Sequence, residues 1–407
     1  MEIIADLQIH SKYARATSKD LSFENLEKYA RMKGINLLGV GDFQHPEHRE
    51  EITKKLKEDD KGILWTKTGF AFLWQTEISL MYSENGKRRA VHLLVFAPNG
   101  KIADKIILYL GSKGRLDYDG RPIFGITCRD AVKDLKEIDD RIEIIPAHCM
   151  TPWFGLFGSK SGFDSLKECF GEELDKIHAI ESGMSADPSM LWRFEEVANG
   201  KVRVVSFSDA HSFWPWRIGR EATIFDIEEL SYDNIIKAIR TGQGLKGTIE
   251  TPPEYGRYHW DGHRNCNFSC GPEETKKLNR ICPKCGGKLI IGVEYRVEEL
   301  AKKNKGFTPK NSVQFHKLLP LHELLVLHTG SGIASKGNWE MYNSLIEKFG
   351  NEFNILLRVN KEDLISKEVK LKLIDLIIRN REGKIKIKPG YDGEYGVAML
   401  EEQKKLF

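Results

Sequence analysis

Val202-Arg203-Val204-Val205-Ser206-Phe207-Ser208-Asp209-Ala210-His211 is the stretch whose reading decides the fold. Its first half is an apolar run of strand length, and its exit presents a carboxylate and an imidazole. The arrangement recurs along the first half of the chain. Asp6-Leu7-Gln8-Ile9-His10, Gly41-Asp42-Phe43-Gln44-His45, Gln75-Thr76-Glu77, Val91-His92-Leu93, Pro146-Ala147-His148 and Ile180-Glu181-Ser182 lie in or at the end of similar runs. A chain that repeatedly sets a His or carboxylate at the exit of a buried strand builds a shared site for divalent ions. Such clusters suit hydrolysis of phosphate esters.

Working outward, strand-like runs at Ile3–Ile9, Ile35–Val40, Phe72–Leu80, Ala90–Phe96, Ile142–Pro146, Ile177–Ile180 and Val202–Phe207 alternate with helix-spaced stretches. The helical stretches are Phe23–Lys33, Ile102–Leu110, Arg129–Ile138, Phe163–Phe170 and Met190–Ala198. Asn85-Gly86 marks a hairpin between two runs. Repeated strand–helix units predict an α/β protein with a largely parallel sheet, and ligands converging from many strand ends favour a barrel. After Gly247 the turn-rich segment Thr251-Pro252-Pro253-Glu254-Tyr255-Gly256 precedes a cysteine cluster. Beyond Val293 the pattern predicts helices over Val313–Leu327, Trp339–Phe349, Asn360–Ser366 and Val369–Arg379. Near the end, alternation in Lys384-Ile385-Lys386-Ile387-Lys388 predicts a strand with three lysines on one face. Three parts are expected: a phosphoesterase barrel over residues 1–250, a ribbon over 251–292 and a mainly helical domain over 293–407.

At 407 residues the chain exceeds one ordinary core, and 41% apolar with 30% charged residues describes a soluble globular protein. No apolar run has membrane-spanning length, and the N-terminus has no basic leader, so a cytoplasmic protein is expected. Net charge is only +3, but its distribution is uneven. Residues 1–250 carry 35 Lys and Arg against 39 Asp and Glu, whereas residues 251–407 carry 27 against 20. An acidic half able to hold cations is joined to a basic half able to hold a polyanion.

Four of the seven cysteines crowd into Cys266-x3-Cys270-x11-Cys282-x2-Cys285, two tight pairs that predict a closed four-thiolate zinc ribbon. His259 and His263 lie near enough to substitute as ligands, but the four cysteines already fill the shell. Asp187 precedes Pro188, the ordinary pattern of an N-cap followed by proline at the first helical position.

Asp6-x-x-x-His10, Gly41-Asp42, His92, His148 and Ser208-Asp209-Ala210-His211 resemble the motifs of the polymerase and histidinol phosphatase domain. That resemblance implies a distorted (βα)7 barrel with two or three metal ions. Beyond the barrel, Arg257-Tyr258-His259-Trp260-Asp261-Gly262-His263-Arg264, the cysteine ribbon, Gly292–Ala301 and Pro389-Gly390-Tyr391-Asp392-Gly393-Glu394-Tyr395-Gly396 resemble endonuclease Q. This family nicks DNA on the 5′ side of deaminated bases (uracil, hypoxanthine, xanthine) and abasic sites. The chain departs from the domain's pattern three times: the first motif is usually His-x-His but here is Gln8-Ile9-His10, the second reads Asp42-Phe43 with His45 two residues on, and where a third-metal ligand is expected after the first motif the chain offers Lys12, Arg15 and Lys19.

The resemblance implies catalytic Mg²⁺, Mn²⁺ or Zn²⁺ ions at Gln8, His10, Asp42, His45, Glu77, His92, His148, Asp209 and His211, besides a structural Zn²⁺. One ion is expected near His10, Glu77 and Asp209, and another near Glu77, His92 and His148. Glu181, Asp187 and His211 are the expected catalytic side chains, with Glu181 open to a role as ligand or as partner of a ligand. Reading a damaged base requires extruding it onto an aromatic surface. Phe70, Phe72, Trp74, Trp153, Phe154, Trp214 and Trp216 are candidates, with core packing the alternative for each. Backbone contacts are expected from Arg217, Arg220, Arg257, Arg264 and the Lys384, Lys386 and Lys388 face. The expected partner is damaged double- or single-stranded DNA, with a replication or repair clamp as a further candidate and a monomer as the form. A histidinol-phosphatase-type phosphoesterase and a nucleic-acid-binding scaffold with a decayed metal site are the alternatives; neither a basic tail nor a ribbon serves a small substrate.

Overall fold

The structure, a computed structural model, describes residues 1–400. Its architecture is mixed α/β followed by a helical C-terminal region. The strand Glu2–Asp6 is flanked by Leu37–Gly39 in parallel and Ala222–Asp226 in antiparallel. Ala71–Leu73 extends one side and Leu245–Glu250 the other, within an eight-stranded sheet. Ile123–Phe124, Gln75–Glu84, Lys87–Phe96 and Glu143–Pro146 form a four-stranded sheet, and Ala179–Glu181 pairs in parallel with Arg203–Val205. These ladders do not run as one ring. Single backbone contacts close the seams: Ile9 bridges to Ala210, and the Cys149 N–H donates to the Glu181 carbonyl.

Local chemistry accounts for the boundaries. In the helix Phe23–Lys33 the Ser22 side chain caps the N-terminus, and Gly34 at φ 98° ends the helix in the left-handed region. Its buried face is Phe23, Leu26 and Ala30. Asn85 and Gly86, at φ 51° and 75°, close the hairpin between Gln75–Glu84 and Lys87–Phe96 with Glu84 opposite Lys87. Both central residues take the positive φ that a two-residue turn needs to follow strand twist.

Two expectations fail locally. The stretch Val313–Leu327 is a strand, Gln314–Lys317, followed by a helix, Leu321–Thr329. Pro320 bars a continuous helix, and the free edge of Leu245–Glu250 recruits the strand in parallel. Met190–Ala198 is likewise not one helix; it straddles two four-residue helices, Pro188–Leu191 and Glu195–Ala198.

The helical region is tied to the sheet by buried polar contacts. The Lys33 ammonium lies 2.6 Å from Glu352, which also accepts from the Leu321 N–H and the Tyr342 hydroxyl. Arg193 forms a two-pronged contact with Glu298 at 2.6 and 2.9 Å. Among the described residues no helix is long and apolar enough to cross a membrane.

Candidate metal centre and cleft

Three strand-end residues leave their strands through left-handed backbone: Asp42 (φ 39°), His148 (φ 30°) and Asp209 (φ 49°). Such conformations cost on the order of 1–3 kcal/mol each and persist where the surroundings impose them. Backbone hydrogen bonds between neighbouring exits impose them here. The His10 N–H donates to the Ala210 carbonyl, Ala147 to His92, and Ser182 to Val205.

The exits assemble two donor trios, His10–Asp209–His211 and Glu77–His92–His148, each with ligand atoms within 4.8 Å of one another. Glu77 joins them. Its Oε2 lies 3.1 Å from His10 Nε2, and its Oε1 lies 2.6 Å from His92 Nδ1 and 3.4 Å from His148 Nε2. His10 Nε2 is also 3.1 Å from Asp209 Oδ1. Histidine and carboxylate donors in two sets sharing one carboxylate suit a pair of divalent ions.

The charges are mutually dependent. Burial would raise the Glu77 pKa, but Arg121, His92, His10 and His148 hold it well below the usual carboxylate range. Burial would lower His10, yet Asp42, Asp209 and Glu77 raise it well above the usual imidazole value. His92 is pushed down to about 4, chiefly by burial, so its ring is neutral and able to ligate at neutral pH.

Other residues expected at the centre support it without joining either trio. Asp42 Oδ1 holds His10 Nδ1 at 2.9 Å, while its Oδ2 accepts from the Ser11 N–H and hydroxyl. Gln8 donates its amide N–H to Glu77 Oε2 at 2.9 Å, and its buried carbonyl oxygen has no partner among the described residues. Neither is a trio ligand; each orients one, as partners of metal-bound His and carboxylates do. His45 sits at the N-terminus of the helix Pro46–Lys55, stacked on Tyr13 at 4.6 Å, outside both trios. Glu181 accepts the His148 N–H and is driven well above the usual carboxylate range by burial, so it shapes the His148 turn. Asp187 is an N-cap whose other oxygen pairs with Lys317 at 2.6 Å, and it is not among the residues lining the cleft above the trios.

Above the trios opens a cleft of about 1080 Å³ with His92, His148, Asp209 and His211 among its lining residues. Trp153, Phe154, Trp214 and Trp216 border it, as do Arg217, Arg220 and Arg257. Phe154 stacks on His92 at 4.5 Å, and Trp214 lies parallel to Trp216 at 5.3 Å. Arg220 spends its guanidinium on the Ser208 carbonyl, bracing the Asp209 turn. Phe70, Phe72 and Trp74 are corrected. They are 3%, 0% and 2% exposed, packed into the core where no base can reach. Arg264 and the lysines 384, 386 and 388 are exposed, the latter on and beside the strand Lys386–Lys388. Tyr258 and Tyr395 also line the cleft, and Tyr258 meets Trp153 edge-on. Sequence reasoning missed both as site residues; they lay inside motifs read only for family resemblance.

The ribbon differs from its expected ligand set. The clustered donors are His263, Cys266, Cys282 and Cys285, with His263 Nδ1 3.2 Å from Cys285 Sγ. Cys270 turns instead to the Thr275 hydroxyl, 3.2 Å away, because its strand Phe268–Cys270 pairs with Asp261–His263 and sends it inward. Against the cost of burial, the Lys284 N–H, the His263 ring and the Cys285 N–H bring the Cys282 thiol down to about 6. Three thiols and an imidazole within reach of one another are a donor group that could hold a metal ion.

The family model for the MJ0043 C-terminal domain matches residues 320–384. The uncharacterized protein MJ0043 of Methanocaldococcus jannaschii is 35% identical over 262 residues, 63% of this chain. The match spans 32% of that relative's length, so the matched part of the chain corresponds to about a third of it. The crystal structure of the lesion-specific endonuclease PfuEndoQ from Pyrococcus furiosus is similar at a TM-score of 0.87 with 31% identity. That similarity covers 100% of this chain and 98% of the other. A structure of endonuclease Q with a 27-mer duplex carrying an abasic lesion at its active site is similar at 0.88, with 31% identity and the same coverage.

Proposed function

This chain belongs to the endonuclease Q family, and on that footing we propose that it is a metal-dependent DNA repair endonuclease. Two things in one cleft carry the reading. Paired donor trios share Glu77, and an aromatic and arginine wall stands over them, in a chain that matches over its whole length a nuclease holding an abasic duplex.

The reaction is hydrolysis of the phosphodiester on the 5′ side of a deaminated base or abasic site. Water oxygen bonds to phosphorus, the P–O3′ bond breaks, and the departing O3′ takes a proton, leaving a 3′-hydroxyl and a 5′-phosphate. His10, Asp209 and His211 would hold one divalent ion and Glu77, His92 and His148 a second; bound there, the pair supplies a nucleophile near neutral pH and clamps the reacting oxygens. The buried carbonyl of Gln8, without a partner beside Glu77, and the neutral His92 ring fit that use.

The chain's own side chains do the rest. Asp42 and Gln8 keep His10 and Glu77 oriented, and Thr151 fixes the other nitrogen of His148 at 3.1 Å. Phe154 covers His92 and limits water on that side. Trp153, Tyr258, Trp214 and Trp216 offer surfaces for an extruded nucleotide, and Arg217, Arg257 and Arg264 with the C-terminal lysines bind the strand around it. His263, Cys266, Cys282 and Cys285 would hold a structural zinc ion, which would help order the Arg257–Arg264 segment.

The test is incubation with Mg²⁺ or Mn²⁺ and labelled duplexes carrying one uracil, hypoxanthine or abasic site. A single nick immediately 5′ of the lesion is expected. Intact strands with every metal, or equal cleavage of undamaged duplex, would refute the reading.

A further inference from the structure

Arg121 belongs to neither donor trio, yet its guanidinium reaches Glu77 Oε1 at 3.4 Å. It carries a permanent charge beside Glu77, Asp209 and Asp42, whose carboxylates raise its own pKa further against the cost of burial. Its backbone is delivered by a tightly held loop. The Gly120 N–H donates to the Tyr13 carbonyl, and the Gly120 carbonyl accepts from the Gln44 amide. Asp119 Oδ1 accepts from the N–H groups of Arg15 and Arg121, and the Pro122 carbonyl accepts from Ser79, two residues beyond Glu77. Glycine is required at 120, since a Cβ there would lie 2.3 Å from Asp42 Oδ2. The loop is thus pressed against the residue that orients His10.

The side chain is not used as a structural arginine would be. Arg193 and Arg141 grip their carboxylates with two N–H groups each, at 2.6–3.0 Å. Arg121 makes one long contact, and among the described residues its remaining N–H groups have no partner. Its side chain keeps 27% exposure at the edge of the cluster. A guanidinium has five donors in a fixed fork suited to phosphate oxygens. Ions held by Glu77 would compete for the single oxygen that Arg121 touches and leave the fork free.

We propose that Arg121 is a catalytic phosphate-binding residue, its guanidinium engaging a non-bridging oxygen of the scissile phosphodiester and stabilising the charge that grows there during hydrolysis. This rests on the nuclease reading.

The test compares the unaltered chain with Arg121→Gln and Arg121→Lys by three measurements. These are single-turnover nicking of an abasic duplex with Mn²⁺, calorimetric Mn²⁺ binding, and the salt dependence of binding to the same duplex with Ca²⁺ in place of Mn²⁺. In Arg121→Gln, nicking should slow on the order of 100-fold. Mn²⁺ stoichiometry should stay unchanged, and the slope of log affinity against log salt should flatten by about one. Arg121→Lys should recover part of both the rate and the slope. An unchanged rate or an unchanged slope would overturn the proposal, as would loss of Mn²⁺ sites in step with the rate. No nicking by the unaltered chain would instead overturn the nuclease reading itself.

Discussion

The molecule holds two sets of metal-ligand side chains, and they are built in opposite ways. At the strand exits, His10, Glu77, His92 and His148 are buried, braced by sheet hydrogen bonds and by Asp42, Gln8 and Thr151. Around them the packing is that of a large core. In the ribbon, Cys285 is exposed, Cys266 is half-buried, and the local core is Cys270, Cys282 and Leu289 with a few flanking side chains. Its paired strands are three residues each. One site is organised by the fold before any ion arrives. The other has little apolar surface of its own, so an ion bound there would supply folding free energy.

Exhaustive chelation should separate the two most strongly. Structural zinc in small modules contributes on the order of 10 kcal/mol, so residues 259–292 should lose protection from hydrogen exchange while the sheet keeps its own. Equal protection in both regions would break the contrast. Within the ribbon, His263→Ala should lower bound zinc and Cys270→Ala should leave it in place, as read by metal content. The reverse result would restore the four-cysteine set.

Asp209→Asn should take nicking below detection while the melting temperature changes little, because its carboxylate serves the cluster and not the core. A parallel collapse of stability would show that this site, like the ribbon, depends on its ligands to fold.

The packing that keeps the first site independent of metal can be probed by acid. His322 is buried against Trp216, Trp339 and Tyr342, its ring nitrogens have no partner among the described residues, and burial with the nearby Lys33 charge pushes its pKa down to about 3. An unfolded histidine titrates near 6.5. The unfolded chain therefore binds the extra proton between those values, and stability falls as pH drops from about 6.5 toward 3. At pH 4.5 the loss should be about 2–3 kcal/mol relative to neutral pH. Denaturant midpoints should show it, and His322→Phe should lessen it; equal pH dependence in both chains would remove His322 as the cause.

The smallest effect expected is that of Asp42→Asn. It belongs to neither trio but holds His10 in place, so activity should fall about 10–100-fold with folding intact. A loss as deep as that of Asp209→Asn would make Asp42 a ligand.

Much of this contrast was legible before the structure. Periodicity located the helix Phe23–Lys33 and the Asn85-Gly86 hairpin because both depend on neighbours in sequence. The six residues of the two trios were likewise marked by their place at strand exits. Phe70, Phe72 and Trp74 misled because an aromatic near a ligand in sequence can face either side of a strand, and only the packing chooses. The strand Gln314–Lys317 was read as helix because its partner edge lies more than sixty residues away in the chain.

The sequence by itself determined the reaction class, since donor type and strand-exit position are local properties. Tertiary structure decided which donors meet. Glu77 became shared, Asp42 became a brace, His263 displaced Cys270, and Arg121 arrived from a loop that periodicity left blank. The physical reason is range. Propensity and alternation act over a few residues, whereas a site of this kind is fixed by distances between side chains as far apart in sequence as His10 and Asp209.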